Sequence, residues 1–346
     1  MEKITAAIIG LGRIASLLEE DSLREKPCTH AGAIAANPDC ILAGGCDIDE
    51  ERRRLFAEKW NVPVYADAAA MIRAHSPQIL VIATHPDSHY RYCRLAADLG
   101  VPVVICEKPL ADNIREAKKM VNLVKKEFNN TIIITNHERR YSADYIRAKE
   151  ILDSGRLGRL LSVRAVLYMG KNRRLLDVLW HDGTHLADAV MFLTGSVLKH
   201  RRRWGASLNS KTGTAWLEGV LHPSIPCTIE IGAGRDHCDP AIIPVIIELG
   251  AMRDHLVFEI ELSCEKGRLR IGNGIFEMWE SAPSPYAEKF RSLIKTDDSF
   301  SGPTGYFANM VKDAAACAKE PGALPRSSAS DGLLVIKYLS SVKKWL

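Results

Sequence analysis

The 346-residue sequence predicts an α/β domain on a doubly wound parallel sheet, followed by an α+β domain with a large, mostly antiparallel sheet open on one face. Three observations predict this. Short β-branched runs alternate with helix-length segments from Ile4 to Thr135, the pattern of a parallel sheet with helices on both faces. From Leu160 onward, alternating strands follow one another with few helices between them, as in an antiparallel sheet. The chain is also longer than one ordinary core needs, so two domains, 1–136 and 137–346, are expected, with the C-terminal helix free to pack back on the first.

Ile4–Ile9 reads as a buried strand and runs directly into Gly10-Leu11-Gly12-Arg13-Ile14-Ala15. This is G-x-G-x-x-A with a strand before it and helical residues after it, the setting in which the motif binds a dinucleotide. Gly10 allows a tight turn, Gly12 lets the backbone approach a pyrophosphate, and Ala15 keeps the helix close to the sheet. Arg13 and Ile14, within the turn, join them as candidate cofactor contacts. The next strand, Ile41–Cys46, ends in Asp47, which can accept hydrogen bonds from a ribose and repels a 2′-phosphate, favouring NAD over NADP. From Ala15 to Asp47 is 32 residues, where roughly 20 are usual. The excess falls at Ser16–Pro27, as a longer helix or a loop ahead of a second helix near His30. Asp47 could also cap the helix that begins near Glu50.

A helix over 49–59, an edge strand over 62–65, a helix over 68–75 and a buried strand over 78–83 follow. Thr84-His85-Pro86-Asp87-Ser88-His89 leads into a helix closed by Gly100. The strand ending at Cys106 stops at Glu107-Lys108-Pro109, because Pro109 lacks an N–H and disfavours helix at Lys108. At the carboxyl end of a parallel strand, Lys108 can serve as a charge, a hydrogen-bond donor or an acid–base group. The plainer reading is a solvated loop lysine.

Together, Gly10-x-Gly12-x-x-Ala15, Asp47, Thr84-x-Pro86-x-x-His89 and Glu107-Lys108-Pro109 resemble the Gfo/Idh/MocA oxidoreductase family. The resemblance implies a nicotinamide dinucleotide on a Rossmann domain and a sugar, polyol or related substrate on the second domain. It implies that Thr84, Pro86 and His89 lie beside the cofactor, and Glu107 and Lys108 beside the nicotinamide and substrate. His85 occupies a position often small or polar in the family, and is a further cofactor-side candidate.

After a helix over 114–128 and a strand over 131–135, Asn136-His137-Glu138-Arg139-Arg140-Tyr141 opens a helix to Asp153. Arg139 or Arg140 could bind a polyol or carboxylate, or form an interdomain ion pair. Leu160–Tyr168 alternates as a strand should. His181-Asp182-Gly183-Thr184-His185-Leu186-Ala187-Asp188 resembles the family's G-x-H-x-x-D motif. By that match His185, beginning a helix whose dipole can lower its pKa, is the expected acid–base group, and Asp188 a structural or orienting carboxylate. Many family members carry an aspartate four residues before the histidine; here His181 stands there, with Asp182 beside it. The family's glycine-rich lead-in is replaced by Arg173–Trp180. His181 and Asp182 are therefore candidates for catalysis, and His181 for substrate contact. The same cluster resembles a metal site, but a lysine and a dinucleotide already supply an electrophilic environment, so no metal is assigned.

Further strands are expected at 216–221, 227–231, 242–248, 256–262 and 268–271, a loop over 283–305, and helices at 306–319 and 330–345. The bare sheet face suggests a homodimer or homotetramer. A net charge of +4 gives no reason to invoke nucleic acid, and Arg201-Arg202-Arg203 reads as a solvated strand or turn. Nine cysteines without a C-x-x-C pair suit a reducing compartment. No leader or membrane-span pattern is legible, so the cytoplasm is the expected location. The sequence thus predicts an NAD-dependent oxidoreductase acting on a secondary alcohol or ketone of a sugar or cyclitol. An enzyme that retains NAD and uses transient oxidation to cleave a glycoside is the first alternative. The second is a regulator without catalysis, which would have no chemical need for Lys108 and His185.

Overall fold

The computed structural model describes residues 3–124, 131–170, 173–223, 242–320 and 322–343. They form two units, Met1–Ala143 with Pro303–Ile336, and Asp144–Gly302 with Lys337–Leu346. The boundary expected at 136 thus falls at Ala143, and the segment from Pro303 to Ile336 belongs to the first unit.

The first unit runs β1 (Ile4–Ile9), α1 (His30–Ala36), β2 (Cys40–Cys46), α2 (Glu50–Trp60), β3 (Val64–Tyr65), α3 (Ala68–His75), β4 (Ile79–Ile82), α4 (Pro86–Asp98), β5 (Val103–Cys106), α5 (Ile114–Val124) and β6 (Ile132–Thr135). All six strands are parallel, in the order β3-β2-β1-β4-β5-β6. Successive strand residues face opposite ways, so each face has its own core. Ala6, Ile8, Val81 and Ile105 pack with Ala31 and Ile34 of α1, and with Met310 and Val311 of α9 (Tyr306–Lys319). Ala7, Ile9, Ile82 and Val104 pack with Met71 of α3, Cys93 of α4 and Met120 of α5. The expected extension of α5 to Phe128 lies outside the described residues.

The helix after the glycine turn is interrupted. Ser16 N–H bonds to Gly12 O at 3.1 Å to begin a turn, a short 3-10 helix covers Leu17–Glu20, and α1 starts at His30. Of the two readings of the long spacing, a loop ahead of a second helix is the one adopted. At the carboxyl edge, Ile9 pairs with both Cys46 and Ile82, Ile82 with Cys106, and Cys106 with Thr135. The next residue of each strand therefore emerges in one row: Asp47, Gly10, Ala83, Glu107, Asn136.

The second unit contains α6 (Ala143–Asp153, from Asp144), β7 (Leu160–Tyr168), α7 (Leu175–His181), α8 (Gly183–Thr194), β8 (Ser196–Gly205), β9 (Thr214–Pro223), β10 (Ile243–Gly250), β11 (Val257–Cys264), β12 (Gly267–Gly272), β13 (Ile275–Pro283) and β14 (Arg291–Lys295). A 3-10 turn at Glu138–Tyr141 precedes α6, so the single helix expected from Asn136 to Asp153 is two pieces. The sheet order is β14-β13-β12-β11-β7-β10-β9-β8, antiparallel except for the parallel pair β7–β10. The expected loop over 283–305 is corrected in part. It contains β14, which pairs with β13 through alternations such as Ser281 opposite Leu293. The strand expected at 227–231, with Cys227, and Cys238 lie outside the described residues. The basic run sits in β8, where Arg202 pairs with Glu218 of β9. The last helix, α10 (Ala329–Lys343), passes from one unit to the other. No described helix is long and apolar enough to cross a membrane.

Candidate active site

In an open parallel sheet of this order, the crevice for a ligand lies at the carboxyl ends of the strands where the order reverses, here β1 and β4. Gly10 stands at that point with φ +88°. A Cβ on it would lie 2.7 Å from the Ala83 carbonyl oxygen, so a side chain would both strain the turn and collide with the end of β4. Its N–H donates to Cys46 O at 2.8 Å, which ties the ends of β1 and β2. Gly12 differs. Among the described residues, a Cβ there would meet only Arg52 Nη1, at 3.9 Å, which leaves its backbone open to a close-approaching group. Arg13 is exposed and Ile14 half-buried in the same turn.

The two readings of Asp47 separate cleanly. Asp49 caps α2, its carboxylate accepting from Arg52 N at 3.0 Å. Asp47 instead accepts from Leu11 N at 2.8 Å through Oδ2 and from Asp49 N at 2.9 Å through Oδ1. The buried carboxylate thereby joins the glycine turn to the end of β2, where an adenosine ribose would lie. Arg52 Nη1 is 3.7 Å from Asp47 Oδ2. Burial, followed by the Asp47 charge, pushes the neighbouring Cys46 thiol up to about 11.

Beyond β4, Thr84 is half-buried and its hydroxyl accepts from Ser88 Oγ at 2.7 Å. His85 is exposed just before α4, and Pro86 is the first residue of that helix. His89 departs from the expected cofactor contact. It is fully buried, with Nδ1 3.1 Å from Pro109 O and 3.3 Å from Leu110 O, and Nε2 3.1 Å from Thr84 O. Both ring nitrogens face backbone carbonyls, of which a neutral ring can donate to one side only, and the ring sits between the Thr84 and Pro109 segments.

Glu107 is buried beside a half-buried Lys108. Its Oε1 accepts from His30 Nε2 at 2.7 Å and from Asn136 Nδ2 at 2.5 Å, and its Oε2 from Lys108 N at 3.2 Å. Burial pulls this carboxyl upward, but the hydrogen bonds from His30 and Asn136 and the nearby Lys108 ammonium outweigh it, leaving a lowered pKa. Sequence reading assigned no role to His30 or Asn136. The extended run before Asn136 placed it at a strand end, but nothing local connects His30 to a residue 77 positions away.

The remaining candidates lie apart from this row in the chain. Arg139, in the first unit, is half-buried with Nε 3.9 Å from Glu138. Arg140 is a buried structural residue of the same unit, bonded to Asp331 Oδ1 at 3.1 Å and Arg326 O at 3.2 Å. In the second unit, His181 ends α7 and is exposed, and its carbonyl accepts from Thr184 Oγ1 at 2.9 Å. Asp182, at the joint between α7 and α8, pairs with Arg173 Nη1 at 3.2 Å. Gly183, not His185, opens α8. His185 is half-buried in its first turn, N–H on Asp182 O at 3.1 Å, and Asp188 is fully buried one turn on. Among the described residues, no three His, Cys, Asp or Glu side chains group as metal ligands would.

The open backbone at Gly12, the pressed turn at Gly10 and the Asp47 carboxylate fit a dinucleotide: space for the pyrophosphate, and an acceptor for the ribose. Residues 4–135 match the family model described as an oxidoreductase family with an NAD-binding Rossmann fold, Gfo/Idh/MocA. Residues 4–135 thus resemble the dinucleotide-binding domain of that family. D-Glucoside 3-dehydrogenase of Escherichia coli is 26% identical over 208 residues, 56% of this chain and 54% of that protein. Myo-inositol 2-dehydrogenase of Thermotoga maritima is 27% identical over 153 residues, 44% of this chain and 41% of that protein. The chain therefore spans about half the length of the curated relatives it matches. A likeness in fold alone extends over the whole chain. An oxidoreductase domain protein from Kribbella flavida aligns with TM-score 0.77 and 18% identity over 100% of this chain and 97% of that one. The WlbA dehydrogenase from Bordetella pertussis, solved with NADH and UDP-GlcNAcA, aligns with TM-score 0.71 and 17% identity over 99% and 96%.

Proposed function

We propose that this chain is an NAD(H)-dependent oxidoreductase that moves a hydride between nicotinamide and a secondary alcohol or ketone of a sugar, cyclitol or sugar derivative. One observation carries the reading: Asp47, Gly10, Ala83 and Glu107 stand in one row at the carboxyl edge of a single parallel sheet, with Lys108 next to Glu107. A dinucleotide laid along that row, adenosine end at Asp47, has its nicotinamide end towards Lys108. When bound, the nicotinamide supplies the hydride acceptor or donor. Asp47 orients the ribose and favours NAD, and Gly12 admits the pyrophosphate. Thr84, His85 and Pro86 line the cofactor side of β4. Lys108 stabilises the oxygen that becomes negative as hydride leaves, and His185 takes its proton. His181 and Asp182 belong with the catalytic group, and His181 and Arg139 contribute polar contacts to the substrate. The names of the related dehydrogenases, which act on glucosides and inositol, support the substrate class.

The open face of the second sheet is read as the contact with a second copy of the chain. Trp204 and Trp216 stack there beside Ile246, Arg164 and Glu248 around a depression of ≈ 420 Å³. The described cysteines are buried free thiols, which suits a reducing compartment, and the cytoplasm is the location we assign. The test is NADH formation from a panel of polyols, glycosides and sugar derivatives, with Lys108→Met and His185→Ala alongside. Each variant should still bind NADH and lose most turnover. Near-native turnover in either would remove that residue from the chemistry.

A further inference from the structure

The Glu107 carboxylate is unusual among the buried groups of the first unit. It sits one residue before Lys108, is 7% exposed, and is held by donors from two elements distant in sequence, α1 and the end of β6. His30 is wholly buried, and its ring lies edge-on to Phe307 of α9, with centroids 5.0 Å apart and planes at 85°. Nε2 points at Glu107, while Nδ1 is buried with no hydrogen-bond partner among the described residues. A ring so oriented has one polar task, donation to Glu107. Glu107 in turn accepts from the backbone N–H of Lys108, and its own N–H is on Ile82 O at 2.9 Å.

We propose that His30 is a positioning residue for Lys108, acting through Glu107. The chain of contacts is short: imidazole N–H to carboxylate, carboxylate to the peptide N–H that starts Lys108. The carboxylate cannot swing without leaving a buried charge short of donors, which is costly, so the peptide that aims the lysine is fixed as well. His89 holds the chain on the far side of Lys108, at the Pro109 carbonyl, so that once Glu107 is fixed the backbone of Lys108 is held on both sides. The inference rests on the reading of Lys108 as a reacting-centre group for its importance to catalysis, but not for its geometry.

The test reads the position of Lys108 directly. Lysines are converted to their ¹³C-dimethyl forms and the Lys108 resonance is assigned by its absence in Lys108→Met. In His30→Leu this resonance should move and broaden. In His30→Gln, whose amide can reach Glu107 as Nε2 does, it should return to its wild-type place. A far-downfield proton from the His30 Nε2–H on a carboxylate should be present in wild type and in Lys108→Met, and be absent from Glu107→Gln. NADH binding, followed by nicotinamide fluorescence, should weaken about tenfold in His30→Leu, the size expected for one lost charge-assisted bond. An unmoved Lys108 resonance in His30→Leu overturns the proposal, as does a shift that His30→Gln fails to reverse. Should His30→Leu not fold, Asn136→Ala, which removes the other side-chain donor to Glu107, and Glu107→Gln ask the same question, and an unmoved Lys108 resonance in both overturns it. Failure of wild-type Lys108 to respond to NADH would instead count against the functional reading and leave the His30 result standing.

Discussion

The backbone N–H of His30 donates to the carbonyl of Ile14 at 3.2 Å, and that of Ala31 to Ala15 at 2.9 Å. In an unbroken helix those carbonyls would accept from residues 18 and 19. The helix is therefore spliced: twelve residues are looped out, and the register resumes as though they were absent. That number equals the excess in the spacing from Ala15 to Asp47 over the usual value. The loop is tied at several points. Glu19 accepts from Cys28 N and Thr29 Oγ1, and Trp60 Nε1 donates to Ser16 Oγ. Glu25 accepts from Thr304 N, Thr304 Oγ1 and Gly305 N at the start of α9.

Deleting residues 18–29, so that His30 follows Leu17, should therefore give a folded protein with a continuous helix that still binds NADH. Thr29, which caps α1 through Gly32 N, is needed only because the loop makes the helix start again. What is lost is the Glu25 cap on α9, and Glu25→Gln alone should cost about 1 kcal/mol. Denaturant melts and NADH titration check both variants. Loss of NADH binding in a folded deletion would show that the loop belongs to the cofactor site.

How far all this was legible varied with the kind of information required. The segments 68–75, 160–168 and 306–319 have the boundaries their patterns predict, because local periodicity and turn residues settle them. The same pattern could not say which sheet α9 covers: Phe307, Met310, Val311 and Ala314 mark an apolar face, and only the fold shows it against Ile8 and Val81. Several elements were missed: β13 was not expected, β8 was foreseen only as a strand or turn around its arginines, and β14 and α7 were not foreseen. β14 is an edge strand with four of its five residues, Arg291, Leu293, Ile294 and Lys295, exposed next to a proline- and serine-rich stretch, so neither burial nor alternation betrayed it. α7 did carry a signal, Leu175, Val178 and Leu179 at helical spacing, overshadowed by the comparison with a glycine-rich lead-in. The positions of Gly10, Gly12 and Asp47 were readable because a turn and a strand end are local features. His30 was not, since its partner is brought to it only by the sheet.

The Glu107 carboxyl carries a pH prediction. Its folded pKa lies below the ordinary 4.5, although burial alone would raise it, because donors from His30 and Asn136 and the Lys108 ammonium prevail. A carboxylate depressed on folding contributes stability in full above its unfolded pKa and loses it as pH falls through the folded one. Wild type should thus exceed Glu107→Gln in melting temperature at neutral pH, with the gap narrowing below about pH 4.5. Calorimetry from neutral to acidic pH measures it; a gap independent of pH would mean that the charge of Glu107 is not what stabilises the fold.

Asp47 and Arg52 together set a cofactor prediction. The carboxylate keeps a 2′-phosphate away, and Arg52, 3.7 Å from it and half-exposed, is placed to meet one if the charge is removed. Asp47→Asn retains an acceptor for Leu11 N while losing the repulsion. NADH affinity should fall by about tenfold and the preference for NADH over NADPH should shrink or reverse. Adding Arg52→Ala should take away the NADPH gain and leave the NADH loss. Fluorescence titrations with both dinucleotides decide it. An unchanged ratio in Asp47→Asn would place the discrimination elsewhere.

The bare face of the second sheet gives the last prediction. Trp204 and Ile246 are each 41% exposed, and Trp204 stacks on Trp216 with centroids 6.5 Å apart and planes at 13°. Large apolar groups grouped on one open face are the signature of a surface that another molecule covers. Ion pairs such as Arg164 with Glu248 supply both signs of charge on the same face, which suits a self-complementary contact. Trp204→Glu and Ile246→Glu should each weaken assembly by roughly thirtyfold or more, as loss of a central interface residue does. Sedimentation velocity should show the mass falling to that of one chain, while NADH binding persists because Gly12 and Asp47 belong to the other unit. A wild-type protein that sediments as one chain at micromolar concentration would dispose of the second copy and leave this face to a different partner.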